Sequence, residues 1–408
     1  MMSFNRKNLI IVSTFFPPNR HIAVSRVEAY AKYLADDHDI TVIALGQEDK
    51  SVNYKFENGA ICKVHYVTNK GALTSFLFYT GKESKVMHKF KTLLRVIYNK
   101  LDISHFKVWA AKAARVLESE LKNNQVDVLI SSYAPEDVLE ISYQALTKLN
   151  NNHTKWVLDM RDEYSDELGF PNWIKNKRQK NELKYSKRAD LVVSVSEPLV
   201  DIFKKRMPEA KDYMELRNGF DHSSMPKEYK KEEILKIGYF GSLHGEAKPD
   251  LFFLAVQELG LTDKVKIFFA VRNVTFNTPY NLKESIIFLP FMSYAESIKT
   301  MSKMDANLLI LPSKTRLGVF SGKVFDYLSV RRPILALVNP NDVAAKLITD
   351  TNSGYIADFN SLEETKKMVM KLYEDWQSCQ LKQPSVEDIA RQHRKYQVQK
   401  LNEWIAKQ

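Results

Sequence analysis

The sequence has little cysteine, glycine or proline. It contains 2 cysteines, 13 glycines and 14 prolines among 408 residues. The cysteines, Cys62 and Cys379, lie far apart and outside any Cys/His spacing that indicates zinc, so a reducing compartment suits the chain best. The shortage of glycine and proline excludes a collagen-like or linker-type protein and predicts a chain made mostly of helices and strands.

Long apolar runs are missing as well. No window approaches the ~20 apolar residues that a membrane-spanning helix needs, and the mean hydropathy is −0.34. The amino terminus reads MMSFNRKNLI and continues into a short apolar run, without the apolar region and cleavage site of a secretory signal. We therefore expect a cytoplasmic protein that does not span a membrane.

The rest of the composition is that of a globular protein, with 44% hydrophobic and 27% charged residues. A length of 408 residues exceeds the ~100–200 residues of one domain, so two domains are expected. Sixty basic residues against 49 acidic ones give a net charge of +11. This excess favours an anionic partner, whether nucleic acid, an anionic lipid surface or a phosphorylated substrate.

Short apolar runs alternate with helical patterns along the chain. The predicted strands are 9–16, 40–45, 126–132, 154–160 and 190–196, then 235–243, 264–271, 284–290, 305–312 and 332–338. Helical spacing of apolar residues recurs at 25–37, 106–123, 249–259, 294–303 and 320–330. The alternation predicts two doubly wound α/β domains with parallel sheets, joined near 218–232. The segment 386–408 is predicted as one long terminal helix.

In open parallel sheets, ligands bind beyond the carboxyl ends of the strands. The loop after the first strand carries Asn19 and Arg20, and Arg26 lies at the start of the next helix. A helix amino terminus with added positive charge suits a phosphate, so these residues are candidates for contact with a phosphate or an acceptor. The GxGxxG fingerprint is absent, and an ordinary capped loop explains the segment equally well.

Two further loops follow strands of the second series. Gly241 and Ser242 end one strand and precede Lys248. Small residues let a backbone approach a ligand, and Lys248 can reach a pyrophosphate. Arg272 has the analogous place after the next strand. Both loops also suit α/β turns that bind no ligand.

The most informative segment begins with Gly318 and Val319 and contains Lys323 and Asp326. These two charges are three residues apart on a predicted helix and share one face of its first turns. A lysine there adds positive charge to the positive end of the helix dipole, which is unfavourable unless an anion binds. A bound phosphate would supply that anion. Asp326 is then placed to accept hydrogen bonds from a ribose diol. The alternative is a solvated ion pair between the two side chains.

Other charged segments leave two interpretations each. Arg161 and Asp162, within DMRDEY after a strand, suit sugar hydroxyls or a salt-bridged loop. Basic residues at 82–115, interleaved with apolar ones, and at 175–188 suit an anionic membrane surface or helices packed on the domain. No aromatic platform or reader motif indicates nucleic acid, so we expect none to bind.

Six segments occur in a characteristic order: STFFPP, DMRDEY, KRADLVVSVSEPL, LRNGFD, IGYFGSL and GKVFDYLSVRRPILAL. The series resembles retaining glycosyltransferases of family 4, which have the GT-B fold, and it covers nearly the whole chain. The resemblance implies two Rossmann-like domains facing across a cleft. It places an acceptor domain over 1–222, a nucleotide-sugar donor domain over 223–385, and a terminal helix over 386–408 that crosses back to the first domain.

The resemblance also implies roles for single residues. Asp326 matches the second acidic residue of the family's E-x7-E motif, which binds the ribose. Lys323 lies in the segment near the donor phosphates, and Gly241 and Ser242 match residues that line the pyrophosphate. The donor-binding candidates are Gly241, Ser242, Lys248, Arg272, Gly318, Val319, Lys323 and Asp326.

The sequence departs from the family at three places. Gly318 occupies the first acidic position of E-x7-E, Asn19-Arg20-His21 replaces the usual Gly-Gly, and the segment 131–134 lacks the usual histidine. The resemblance therefore identifies no catalytic residue. The candidates are Lys323, Asp162 and Arg161.

The expected reaction moves a sugar from a nucleotide-diphosphate sugar to a glycan or lipid-linked oligosaccharide with retention, in bacterial capsule, O-antigen or exopolysaccharide synthesis. Lys323, Lys248 and helix amino termini would stabilise the leaving diphosphate, so neither a metal nor a cofactor is expected. A peripheral position on the inner face of the plasma membrane suits the basic helices. The alternatives are another GT-B reaction, such as nucleotide-sugar 2-epimerisation, and a basic polyanion-binding scaffold.

Overall fold

A computed structural model of the chain describes residues 6–19, 21, 23–71, 85–100, 102–165, 170–222, 231–243, 245–312 and 317–408. Within these ranges the chain forms 14 strands and 13 α-helices. Contacts divide the chain into two units, Met1–Arg217 with Gln397–Gln408, and Asn218–Tyr396. The first boundary lies close to the expected one at 222/223, and the second falls at 396/397 rather than 385/386.

The first unit is built on an eight-stranded sheet with the order β3-β4-β2-β1-β5-β6-β7-β8. Its strands are β1 (Asn8–Ser13), β2 (Asp39–Gly46), β3 (Lys50–Lys55), β4 (Ile61–Thr68), β5 (Val128–Tyr133), β6 (Lys155–Met160), β7 (Leu191–Ser194) and β8 (Tyr213–Glu215). Among the strands that the structure describes in this unit, only β3 and β4 pair antiparallel. The direction in which successive strands are added reverses between β1 and β5.

Six helices accompany these strands: α1 (Val24–Leu34), α2 (Lys85–Lys100), α3 (Lys107–Asn123), α4 (Asp137–Lys148), α5 (Asn172–Ser186) and α6 (Glu197–Arg206). Successive residues of β1 face opposite sides of the sheet. Ile10 packs in one core with Trp109 of α3, and Ile11 packs in the other with Val27 of α1. Burial on both faces explains why the central strands are apolar throughout.

The second unit contains a six-stranded parallel sheet with the order β11-β10-β9-β12-β13-β14. Its strands are β9 (Leu235–Phe240), β10 (Val265–Ala270), β11 (Ile286–Phe288), β12 (Ala306–Ile310), β13 (Ile334–Val338) and β14 (Gly354–Asp358). Its helices are α7 (Asp250–Glu258), α8 (Tyr294–Met301), α9 (Gly322–Ser329), α10 (Val343–Asp350), α11 (Leu362–Gln377) and α12 (Val386–Arg391). Strand order reverses between β9 and β12, and ligands bind at this point in such sheets.

The last segment of the chain forms two helices, α12 and α13 (Arg394–Ala406). The break between them is held by Phe220. Its N–H donates to the Gln392 carbonyl at 3.3 Å, and its carbonyl accepts from the Arg394 N–H at 2.9 Å. The prediction of one helix over 386–408 is therefore wrong. The chain from Gln397 onward belongs to the first unit and packs in the core beside α1.

The helices of the described ranges are short or polar. None of them combines the length and the hydropathy that a membrane span requires.

Candidate functional site

The carboxyl edge of the second sheet brings the loop after β9 to the start of α9. Strand β9 ends at Phe240, and α9 begins at Gly322. The Phe240 N–H donates to the Tyr327 hydroxyl at 3.1 Å, which ties the strand end to the helix. The residues singled out around 241–242 and 323–326 thus lie together where the strand order reverses.

Lys323 reaches from α9 to the end of β9. Its ammonium donates to the Tyr239 hydroxyl at 2.5 Å and to the Ser242 carbonyl at 3.0 Å. The same nitrogen lies 4.5 Å from the centroid of the Tyr239 ring. Tyr239 is buried, and its hydroxyl donates in turn to the Ser242 carbonyl at 3.0 Å. Neutral oxygens and an aromatic face therefore hold the ammonium.

Gly241 makes room for this lysine. Its φ of +106° lies in the region that favours glycine. A Cβ on Gly241 would lie 2.8 Å from Cε of Lys323, which is closer than ordinary van der Waals contact. The position of the Lys323 side chain therefore depends on the absence of a side chain at 241.

The environment of Lys323 favours a bound anion. Burial lowers the pKa of Lys323 to about 8, because desolvation penalises the charged ammonium. The residue lies in the first turn of α9, where the helix dipole is positive, and Ser321 before it makes no capping hydrogen bond with its side chain. A phosphate can accept hydrogen bonds from both the ammonium and the backbone N–H groups of such a turn.

Asp326 lies one turn further along α9 and contacts a different partner. The Tyr294 hydroxyl donates to its Oδ1 at 2.6 Å. Burial raises the pKa of Asp326 to about 6, against the opposing effects of the Tyr294 hydrogen bond and the Arg394 charge. Lys323 and Asp326 thus have separate partners, and the alternative of an ion pair between them is wrong.

Ser329 and His222 contact the turn of α9 that carries Asp326. The Ser329 hydroxyl donates to the Asp326 carbonyl at 2.6 Å and lies 2.9 Å from Nε2 of His222. Because this hydroxyl has one proton, His222 is the donor in the second hydrogen bond. Burial lowers the pKa of His222, so the imidazole is neutral near neutral pH. Its ring centroid lies 6.1 Å from that of Tyr294.

The pKa of Asp326 predicts how the stability of the ligand-free protein varies with pH. Its value of about 6 exceeds the ~3.9 of an unfolded aspartate, so the folded state binds the proton more tightly. The resulting stabilisation is full below about pH 4 and is lost as the pH rises through 6. In urea unfolding, Asp326→Asn should gain about 2 kcal/mol relative to the wild type between about pH 4 and pH 7. A difference that stays constant with pH would contradict the burial of this carboxyl group.

The other donor-site candidates lie in loops of the second unit. Gly318 has a φ of +80°, and its N–H donates to the Asp342 carboxylate at 2.8 Å. Val319 is half-buried beside it. Lys248 and Arg272 are exposed in the loops after β9 and β10. Both side chains are therefore accessible to solvent and to a ligand.

Arg26 of the first unit lies inside the protein. Its Nη2 is 2.7 Å from Oδ1 of Asp159, and its Nη1 donates to the Leu216 carbonyl at 2.8 Å. The two charged side chains are only 6% and 1% exposed. The hydroxyls of Tyr30 and Ser132 also donate to Asp159, at 3.2 and 2.8 Å. This corrects the expectation that Arg26 faces a phosphate or acceptor, because a carboxylate and a carbonyl accept its hydrogen bonds.

Arg161 lies at the carboxyl edge of the first sheet. Its Nε donates to the Tyr133 carbonyl at 2.6 Å, and its guanidinium carbon is 5.2 Å from the centroid of the Phe15 ring. Phe15 stacks on His21 with 4.4 Å between centroids. Burial lowers the pKa of Arg161, and burial together with the Arg161 charge lowers the pKa of His21. A cation and a neutral imidazole therefore flank one aromatic ring.

The remaining candidates of the first unit are close to this group in sequence. Asp162 is half-buried and offsets part of the effect of burial on the pKa of Arg161. Asn19 is exposed, and its Oδ1 accepts the His21 N–H at 3.2 Å, which closes a local turn. Arg20 lies outside the described residues. Arg161 and Asp162 are therefore the charged candidates that the structure locates at this edge.

Sequence reasoning missed three residues of the second unit. Tyr239 and Tyr294 contact Lys323 and Asp326, and His222 contacts Ser329 behind Asp326. Strand alternation places Tyr239 on the same side as Gly241, so that residue had a usable signal. The sequence carries no signal for Tyr294 and His222, since they lie 32 and 107 residues from their hydrogen-bond partners on α9.

Metal ligands are not clustered in the part of the chain that the structure describes. No group of three or more His, Cys, Asp or Glu side chains there could hold a metal ion.

The solved structures that are similar to this chain include the following three. HepE of Anabaena, solved in complex with UDP, has a TM-score of 0.60 at 13% identity, with 98% of this chain and 100% of that chain covered. The α,α-trehalose 6-phosphate synthase of Burkholderia multivorans has a TM-score of 0.58 at 8% identity, with 99% of each chain covered. The catalytic domain of starch synthase IV from Arabidopsis thaliana, bound to ADP and acarbose, has a TM-score of 0.58 at 9% identity, with 99% of each chain covered.

No protein-family model and no curated protein sequence matches the chain. The structural neighbours are GT-B glycosyltransferases. At such low identity the likeness shows the fold alone. The α/β class and the GT-B fold expected from the sequence are thereby confirmed.

Proposed function

We propose that the protein is a glycosyltransferase that moves a sugar from a nucleotide-diphosphate sugar to a glycan or lipid-linked oligosaccharide with retention of configuration. The observation that carries the proposal is the arrangement on α9. An ammonium with neutral partners lies in the first turn, and a half-buried carboxylate lies one turn further along. A phosphate and a vicinal diol satisfy these two groups, and a nucleoside diphosphate contains both.

The second unit would bind the donor. The Lys323 ammonium and the N–H groups of the first turn of α9 would hold the diphosphate, and Gly241 would let the backbone approach it closely. As the bond to the sugar breaks, negative charge grows on the leaving phosphate oxygen. A cation already in place stabilises that charge without reorganisation, so we propose that neither a metal nor another cofactor is needed. Asp326 would accept hydrogen bonds from the ribose hydroxyls.

The first unit would bind the acceptor. Arg161 and Asp162 are the charged groups at the carboxyl edge of its sheet, and Asn19 lies in the loop after β1. Arg161 can donate hydrogen bonds to sugar hydroxyls, and Asp162 can accept hydrogen bonds from them. We assign no covalent nucleophile, in line with attack on the same face that the leaving group departs from. The resemblance to family 4 supports a role in bacterial capsule, O-antigen or exopolysaccharide synthesis on the cytoplasmic side of the membrane.

A thermal-shift screen tests the donor proposal. The full chain is heated with UDP, GDP, ADP and CMP, and with their sugar conjugates, with and without Mg²⁺. A ligand at 100 times its Kd adds about 2.7 kcal/mol of stability, so one preferred nucleoside diphosphate should produce a clear shift. Inorganic pyrophosphate and heparin are the controls. Equal shifts with every polyanion, abolished by salt, would instead indicate the basic scaffold.

Identification of the reaction product distinguishes sugar transfer from 2-epimerisation of the nucleotide sugar. Incubation of the preferred nucleotide sugar with an oligosaccharide acceptor should release the nucleoside diphosphate and lengthen the acceptor. Conversion of the nucleotide sugar to its 2-epimer in the absence of any acceptor would overturn the transferase proposal and leave the donor site intact.

A further inference from the structure

Tyr294 is the first residue of α8, and the local structure fixes where it lies. The Ser293 hydroxyl accepts the Glu296 N–H at 3.3 Å, and the Glu296 carboxylate accepts the Ser293 N–H at 2.8 Å. This capping box holds the start of the helix. Tyr294 is nevertheless 55% exposed, so core packing does not account for a tyrosine here. Its hydroxyl, which water could satisfy, donates to Asp326 at 2.6 Å instead.

Tyr294 also belongs to a closed cycle of contacts around Asp326. Its hydroxyl contacts Oδ1 of Asp326, and the Ser329 hydroxyl donates to the Asp326 carbonyl. The His222 imidazole donates to that serine hydroxyl, and its ring lies edge-on to the Tyr294 ring with 6.1 Å between centroids. The cycle joins α8, α9 and the segment that ends at residue 222. It therefore fixes both the side chain and the main-chain carbonyl of Asp326.

One oxygen of the Asp326 carboxylate is left for a ligand. Oδ1 accepts the Tyr294 hydroxyl, and no residue in the described part of the chain donates a hydrogen bond to Oδ2. The torsion that turns an aspartate carboxylate has broad minima, so the group alone has no sharply defined orientation. Because the Tyr294 hydroxyl holds one oxygen, it also holds the other, and Oδ2 keeps one position as an acceptor.

We propose that Tyr294 is a positioning residue of the donor site, which holds Asp326 so that its second carboxylate oxygen accepts a hydrogen bond from the ribose of the nucleotide sugar. The inference rests on the proposed function, since it takes Asp326 as the residue that contacts the ribose. An acceptor that is already in place costs no ordering when the ligand binds. It also discriminates against 2′-deoxyribose, because loss of the hydroxyl leaves a half-buried carboxylate oxygen without a donor.

The hydroxyl of Tyr294 also keeps Asp326 ionised. Burial raises the pKa of Asp326 to about 6, and the Tyr294 hydrogen bond and the Arg394 charge oppose that rise. Burial and the Asp326 charge raise the pKa of Tyr294, so its hydroxyl stays protonated and donates. Without this donor, Asp326 should bind its proton more tightly and lose an acceptor near neutral pH. The other charged or titratable groups around the pair are Asp221, His222, His393 and, on α9 itself, Lys323.

Titration calorimetry of the full chain and of Tyr294→Phe, which removes only the hydroxyl, tests the inference. The probes are UDP-glucose, GDP-mannose and ADP-glucose, and the one that binds the wild type most tightly is used throughout. Nucleotide sugars avoid the terminal phosphate of a free diphosphate, which itself titrates near pH ~6. Tyr294→Phe should bind about three- to tenfold more weakly at pH 7. The acid limb of its affinity should move up by about one pH unit.

Two further comparisons separate positioning from a merely structural role. The wild type should bind the ribonucleotide sugar at least about tenfold more tightly than its 2′-deoxy analogue, and Tyr294→Phe should lose most of that preference. In an Asp326→Ala background, Tyr294→Phe should change the affinity less than about twofold, because the hydroxyl has no carboxylate left to hold.

Tyr355→Phe is the matched control. It removes another hydroxyl of the second unit that donates to a carboxylate, that of Asp375, at 2.8 Å. Its affinity should stay within about twofold of the wild type, and its acid limb should not move, even where its melting temperature falls.

The outcomes separate this inference from the proposed function. A wild type that binds none of the three nucleotide sugars would overturn both. Wild-type affinity and an unmoved acid limb in Tyr294→Phe, beside a loss in Asp326→Ala, would overturn the role of Tyr294 alone. A full loss from Tyr294→Phe in the Asp326→Ala background would also overturn it, since Tyr294 would then act without Asp326.

Discussion

Lys323→Ala is expected to weaken binding of the preferred nucleoside diphosphate by about 30- to 150-fold, the equivalent of one hydrogen bond to a charged group at ~2–3 kcal/mol. The ammonium is already desolvated and held by Tyr239 and Ser242, so a phosphate gains its charge at little further cost. Alanine removes that charge from the first turn of α9. Asp326→Asn should cost less, about tenfold, since the amide oxygen still accepts one hydrogen bond from the ribose.

The measurement is isothermal titration of each purified variant with the nucleotide that the thermal screen selects. Lys346→Ala is the matched control. It removes a lysine from the neighbouring helix α10, where the ammonium is exposed and pairs with Asp350 at 2.7 Å. Its affinity should change less than about twofold. Wild-type affinity in both Lys323→Ala and Asp326→Asn would remove the donor site from the second unit, although the GT-B fold would stand.

The binding of the donor should also depend on pH through both residues. The pKa of Asp326, raised by burial to about 6, and that of Lys323, lowered by burial to about 8, leave both groups charged between these values. Between these two pH values, burial of the two charges destabilises the ligand-free protein. A bound diphosphate compensates the ammonium and raises its pKa, so binding takes up a proton above about pH 8 and the affinity should fall as the pH rises further.

The local pattern of apolar and polar residues was sufficient to predict most of the fold. Strands such as β1 and β5 are buried on both faces, and this produces the unbroken apolar runs that predicted them. The edge hairpin β3–β4 was missed because β3 is mostly exposed and its sequence, KSVNYK, is mostly polar. The break before α13 was missed because it rests on hydrogen bonds to Phe220, more than 170 residues earlier in the chain.

For the candidate site, the sequence predicted only the geometry within one element. Lys323 and Asp326 share a helix, so their spacing alone placed them in neighbouring turns. Their partners come from other elements, and a single sequence carries no signal for contacts at that separation. Arg26 illustrates the same limit, because Asp159, which neutralises it, lies 133 residues away. A basic residue at a helix start looks the same in sequence whether it binds a ligand or a buried carboxylate.

Arg26→Met is expected to destabilise the first unit by about 3–5 kcal/mol, the largest stability change among the predictions made for this protein. The substitution removes the guanidinium that contacts the buried carboxylate of Asp159, which keeps two hydroxyl donors and the more distant charge of Arg161, and it leaves the Leu216 carbonyl without the guanidinium. Hydrogen exchange of the β1 and β6 amides in increasing urea measures the effect on this unit separately from the other.

Two variants show whether burial of the charge is the cause. In Arg6→Met, an Arg–Asp pair with nearly the same distance, 2.8 Å to Asp39, is lost from the surface, where both side chains are more than half exposed. That change should cost less than about 1 kcal/mol. The double variant Arg26→Met, Asp159→Asn removes the buried charge. Tyr30 and Ser132 donate to different oxygens of Asp159, so the amide keeps an acceptor for one hydroxyl and offers a donor to the oxygen of the other. The double variant should therefore be more stable than Arg26→Met by about 1–2 kcal/mol. If the double variant is instead the less stable of the two, the cost of Arg26→Met comes from lost packing, and Asp159 does not depend on Arg26 for its charge.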